Sequence, residues 1–210
     1  RDAGIPTLQG QYLMVLSQEQ SQLDRYPEAL STLSEIRNLE ASFDLDFSMI
    51  SVLILEKEFD PARTMLDSMT SKWKGKLSDK MLERIRATFE GNIALEQGKF
   101  AEAVERLQAS IPDASAKAPA SEPLGRALLG AGEAAKAAEI FQRIVKDPDR
   151  YADPVGYVRN LARLGEACEK AGKKQDAIQA YRQVLQWWGS TDLPRPETET
   201  ARQGLKRLGG

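Results

Sequence analysis

The chain contains no histidine. That removes Ser-His-Asp catalysis, imidazole metal ligation and a near-neutral protonation switch together. It has one cysteine, Cys168, so no intramolecular disulfide can form. A single thiol leaves the redox compartment open and inclines the reading to the cytoplasm. No apolar run approaches the roughly 18–20 residues of a membrane span, and no signal peptide is visible. Surplus charge is missing as well. The 29 basic residues face 31 acidic ones, whereas a phosphate-binding surface needs clustered Lys and Arg in excess. Nucleic acid is therefore not an expected partner. The first residue is Arg1 rather than Met, so the chain is expected to be an excised piece or a processed form of something longer.

What is present is a repeat. Gly91 is followed by Ala103 and Leu107, Gly125 by Ala137 and Phe141, and Gly165 by Ala177 and Tyr181. Each set has a glycine, an alanine near twelve residues on, and a bulky residue four after that. Between them stand turn signals such as Gln97-Gly98-Lys99. Five alanines open second helices: Ala29, Ala62, Ala103, Ala137 and Ala177, spaced by 33, 41, 34 and 40 residues. A helix-turn-helix repeat of about 34 residues fits two of these spacings. The other two carry extra residues in a connection. Packing accounts for the residue types: antiparallel helices approach closely only where side chains are small, so glycine and alanine are expected to meet. A larger residue at Ala103 would force the pair apart, at about 1–3 kcal/mol.

Read in order, a first helix opens at Tyr12 and a second at Tyr26, with Pro27 in its first turn. Phe43–Leu55 is apolar on more than one side, with Phe47, Ile50 and Ile54 on one face and Met49, Val52 and Leu53 on another. Ser78 is an N-cap for a long helix to about Gln97. The stretch from Pro112 to Ala120 reads as a loop, as does the one from Lys146 to Pro154. The expected organisation is a single array over 1–210, with pairs at about 10–40, 43–75, 78–112, 118–148 and 155–188 and a closing helix at 196–208.

These residues resemble the tetratricopeptide repeat (TPR) family. Leu161-x-x-Leu164-Gly165-x-x-Cys168 with Ala177-x-x-x-Tyr181 follows its pattern, as do Leu124-Gly125-x-x-Leu128 with Ala137-x-x-x-Phe141 and the second half of Gly91–Leu107. The first two units depart from it, with Ser17 and Ile50 where glycine is expected. The resemblance implies an all-α fold, a right-handed α-solenoid of five TPR-like helix pairs plus a C-terminal capping helix. It implies a protein–protein interaction scaffold that holds a peptide, a helix or a partner domain in a concave groove. The stretch 161–208, with Trp187-Trp188 and Asp192-Leu193-Pro194, also resembles TPR regions of bacterial multidomain kinases and winged-helix regulators. That implies an alternative role as an intramolecular regulatory or sensory module.

In the family the first helix of each pair lines the groove. The residue after each glycine is then Asn92, Arg126 or Glu166, and one turn earlier stand Thr88, Phe89, Arg159 and Arg163. The family's carboxylate-binding clamp uses an Asn at this position with basic residues on neighbouring units. Asn92 matches one element, and Arg126, Arg159 and Arg163 can supply charge, while Glu122 and Pro123 depart from the pattern. An acidic or C-terminal-carboxylate ligand is expected if the arginines share a patch; otherwise the face is a solvated, mixed-charge one.

Gly130-Ala-Gly132 follows a helix rather than a strand, so it reads as a helix–helix turn and no cofactor is expected. Gly172 reads as a helix C-cap and Cys168 as a small core residue. Trp187 and Trp188 either stack a ligand or pack against the capping helix. With no histidine, no catalytic motif and no metal-ligand spacing, the chain is not expected to be an enzyme.

Overall fold

A computed structural model of the chain describes residues 8–39, 42–111, 121–147, 153–190 and 195–210. The expected loop at 112–120 lies outside these, as do 148–152 and 191–194. Helices make up 83% of the described residues. In chain order they are α1 (Leu8–Gln22), α2 (Tyr26–Leu39), α3 (Phe43–Leu55), α4 (Phe59–Trp73), α5 (Asp79–Glu96), α6 (Phe100–Ser110), α7 (Ser121–Gly130), α8 (Ala134–Val145), α9 (Pro154–Lys170), α10 (Lys174–Trp188) and α11 (Pro196–Leu208). No strand occurs among the described residues, only a bridge between Lys74 and Leu77. No helix among them is long and apolar enough to cross a membrane. α1 starts at Leu8, a turn before the expected Tyr12, because Leu8-Gln-Gly-Gln11 carries no apolar stripe to announce it.

The five pairs are closed by equivalent turns. Asp24, Lys57, Gly98, Gly132 and Gly172 all have φ between 58° and 83°. Each stands five residues before one of the five alanines. In four of the turns the next residue donates its backbone N–H to a carbonyl five back: Arg25 to Gln20, Glu58 to Leu53, Glu133 to Leu128 and Lys173 to Cys168, at 2.8–2.9 Å. That bond caps an otherwise orphaned carbonyl of the first helix. Each alanine then donates to the residue four before it, at 2.9–3.0 Å, and so opens the second helix. Gly132 therefore serves a turn between helices, and Gly172 follows the C-cap Ala171 as expected.

The chain divides into two compact units, residues 1–97 and 98–210. In the first, α1 packs on α2, α2 on α3, α3 on α4, and α5 on both α3 and α4. α3 is apolar nearly all round because it serves two cores. Leu45, Met49 and Val52 meet Leu13, Ala29, Leu33 and Ile36. Ile50 and Ile54 meet Leu66, Met69, Ile85, Phe89 and Ile93. Leu53 belongs with this second cluster rather than with Met49 and Val52. Ser42 caps α3 and Ser78 caps α5, each accepting a backbone N–H three residues on.

In the second unit, consecutive helices from α6 to α11 pack on one another, and α9 touches both α7 and α11. The glycine–alanine contact expected from the sequence is corrected here. It is the aromatic ring of the second helix that lies on the glycine. A Cβ on Gly125 would stand 2.7 Å from the Phe141 ring, and one on Gly165 would overlap Tyr181. Gly204 of α11 lies against the other edge of the Tyr181 ring. Ala137 and Ala177 are fully buried beside these contacts. Cys168 is buried, in keeping with a core residue.

The buried alanine gives a matched test. Ala137 is fully buried and Ala135, on the same helix, is exposed. Ala137→Leu is expected to lower stability by about 1–3 kcal/mol through overpacking, and Ala135→Leu to stay within about 0.5 kcal/mol of the parent. Urea midpoints measure both; equal midpoints would refute this packing register.

Candidate functional site

The expected groove residues separate between the two units. In the first unit Phe89 is a correction. It is fully buried, its ring 4.6 Å from that of Phe47. Four residues before Ile93, it shares the core stripe of α5 and is not available to a partner. Thr88 is corrected likewise: it is buried, and its hydroxyl donates to the Arg84 carbonyl at 2.9 Å. Asn92 is half-buried on the same helix.

In the second unit the arginines come from α7 and α9, two helices in contact. Arg126 lies four residues after Glu122 on α7, its Nε 4.0 Å from the Glu122 carboxylate. Arg163 reaches the same carboxylate from α9. Two guanidinium groups from the first helices of consecutive pairs thus converge on one acid. Arg159, a turn before Arg163, is engaged elsewhere, with its Nε 3.3 Å from Glu197 of α11. The side chains of Arg126, Arg159 and Arg163 are 32, 22 and 29% exposed, so each pair sits in partly desolvated surroundings.

Glu166 follows Arg163 on the same face of α9 and is half-buried. Burial pushes its carboxyl above the ordinary carboxylate range, against the pull of Lys170 and Arg163. Glu169 is held the other way. Arg207 of α11 donates two hydrogen bonds to it, at 2.7 and 3.0 Å, and the Tyr181 hydroxyl donates a third at 2.8 Å. The Arg207 bonds, with help from Tyr181, hold its carboxyl below the ordinary range. Burial, then the bond to Glu169, pushes the Tyr181 phenol up.

The two tryptophans divide. The Arg195 guanidinium, at the start of α11, lies 5.2 Å over the Trp188 ring. Trp187 is 47% exposed and meets Tyr157 of α9 edge-on, with ring centroids 5.9 Å apart. Trp188 thus contacts the closing helix's cap residue, while Trp187 packs on α9.

Sequence reasoning registered Glu122 only as a departure from a pattern; its spacing of four from Arg126 was the available signal. The Glu169–Arg207 pair spans 38 residues and left no local signal.

With this geometry in view, comparison with known proteins locates the repeat. Residues 90–153 match the tetratricopeptide repeat family model. No curated protein matches the chain. Among solved structures, MamA from Desulfovibrio magneticus RS-1 is 21% identical, covers 90% of this chain and 99% of its own, and superposes with a TM-score of 0.50. YrrB, a TPR protein with an unusual peptide-binding site, is 13% identical over 92% of this chain and 90% of its own, also with a TM-score of 0.50. The TPR fold is what these likenesses share with the chain. α7 and α9, which carry the converging arginines, are first helices of two TPR-like pairs, and α7 lies within the matched region.

Two pH effects follow. Glu169 has a lowered folded value, so its contribution is present above the ordinary carboxylate range and is lost as pH falls through the folded value. Glu169→Gln is expected to lower the urea midpoint at pH 7, the difference closing as pH falls through the lowered folded value. Glu166 has the opposite sign. Its raised value means ionisation costs stability, a cost absent at low pH that grows as pH rises from the ordinary range to the folded value. Glu166→Gln is expected to raise the midpoint at pH 7 and to match the parent near pH 4. Parallel shifts at both pH values would contradict either assignment.

Proposed function

We propose that the chain is a protein-interaction module and that the α7–α9 face of the second unit takes an acidic segment or a C-terminal carboxylate. The observation that supports this is the convergence of Arg126 and Arg163 on Glu122. Two guanidinium groups meeting on one carboxylate are a receptor geometry for an acid, because the planar fork can pair with both oxygens. Glu122 occupies the place that a ligand carboxylate would take.

Charge-assisted contacts contribute about 1.5–3 kcal/mol each, so losing Arg163 should weaken binding by about ten- to a hundredfold. The test titrates matched acidic and neutral peptides, with free or amidated C-termini, against the parent, Arg163→Ala and Glu122→Gln at low and moderate salt. Acidic peptides should bind more tightly than neutral ones, Arg163→Ala should weaken them, and Glu122→Gln should strengthen them. Acidic and neutral peptides binding alike, or affinities indifferent to Arg163, would sink the proposal.

A further inference from the structure

A second surface lies on the other side of α9. Arg159, Arg163 and Glu166 share one face of that helix, while Tyr157, Leu164 and Cys168, seven and four residues apart, share the opposite one. This opposite face is the floor of a recess of about 360 Å³ between α8 and α10. Its walls carry amides: Gln142 on α8, and Gln179 and Gln183 on α10. Among the described residues, the charges lining it are Lys146 and Asp176, one of each sign. These two charges cancel, and the other described lining residues are uncharged.

Gln142 and Gln179 are exposed and Gln183 half-buried, and none of the three carboxamides makes a side-chain hydrogen bond among the described residues. Elsewhere Gln20 accepts from Thr32 at 2.9 Å and Gln203 donates to Glu199 at 2.7 Å. On α10, Gln175, Gln179, Gln183 and Trp187 follow at intervals of four and form one ridge. The ridge ends at the 47% exposed Trp187 ring, packed edge-on against Tyr157.

We propose that this recess binds an extended, uncharged peptide segment carrying one proline or aromatic residue. The match is one of spacing and chemistry. Four residues of helix rise about 6 Å, and two residues of extended chain span about 6.6–6.8 Å. Successive glutamines therefore keep step with every second residue of an extended peptide. Each carboxamide offers both a donor and an acceptor, as does the peptide group it would meet. Apart from Lys146 and Asp176, the described lining offers a charged residue no partner, and a planar ring or pyrrolidine would stack on Trp187. The site is separate from the arginine face, and either can fail without the other.

The experiment screens a displayed library of eight-residue segments against the whole chain. Enriched segments are remade with acetylated and amidated ends. Uncharged sequences containing Pro, Phe, Tyr or Trp should be enriched. Their affinity should fall at least tenfold for the Gln179→Ala/Gln183→Ala double variant and for Trp187→Ala, and should be unchanged for Arg163→Ala. Main-chain N-methylation at alternate peptide residues should cost at least tenfold as well. On the parent protein, the side-chain NH₂ resonances of Gln142, Gln179 and Gln183 should shift on titration, which reads the site even where a variant folds poorly. No enrichment of uncharged segments, unmoved glutamine resonances, or affinities equal in parent and glutamine variants would each overturn the assignment.

Discussion

Every helix pair in this chain depends on one residue held at positive φ. At Asp24, Lys57, Gly98, Gly132 and Gly172 the backbone leaves the first helix in the left-handed region. The alanine five residues on then donates its backbone N–H to the carbonyl of the residue that follows the turn. Within each unit the second helix thereby leaves at a fixed angle and rotation, which is why Ala29, Ala62, Ala137 and Ala177 end fully buried. Glycine adopts this conformation without steric cost, whereas a residue with a Cβ carries about 1–2 kcal/mol there. The first two pairs, with Asp24 and Lys57, carry that strain; the last three do not.

The two units fill their cores differently, in keeping with this difference. The first relies on bulk. α3 presents Leu45, Met49 and Val52 to one cluster and Ile50 and Ile54 to another, so that one helix is buried on two sides. The second relies on close approach. Glycines at 125 and 165 let the tip of the Phe141 ring and an edge of the Tyr181 ring come up against the helix backbone. Tyr181 is held from both sides, by Gly165 of α9 and Gly204 of α11, and its hydroxyl reaches Glu169. The same carboxylate accepts Arg207. α11 is thus fixed by a ring contact and a polar network that share one tyrosine.

Much of this was legible in the sequence because it is local. The turn glycines, the alanine spacing and the Ser78 cap are properties of a few consecutive residues, and the bounds of α7 and α10 follow from them. What was illegible depends on contacts between distant helices. The residue that lies on each glycine could not be read from spacing alone, since Ala137 and Phe141 stand one turn apart on the same helix. Phe89 was misread because a register that marks groove positions also passes through the core stripe one residue away, and only packing tells Phe89 from Asn92. The arginines were read as cations; their pairing with Glu122 and Glu197 was not, because Arg163 and Glu122 are 41 residues apart and Arg159 and Glu197 are 38.

Whether a paired arginine can serve a partner is a question of magnitudes. A pair whose members are a quarter to a third exposed, such as Arg163 and Glu122, contributes about 0–1 kcal/mol to folding. Exchanging Glu122 for another carboxylate therefore leaves the fold nearly as stable as before. The exchange keeps both guanidinium groups satisfied, so no buried charge is stranded. Tyr181 stands at the other extreme. Its ring is fully buried and closes the space between two glycines, and removing it would open a cavity at about 3–5 kcal/mol. The ion pairs of α7 and α9 thus lie at the surface, and the contacts that hold the helices together lie one layer beneath.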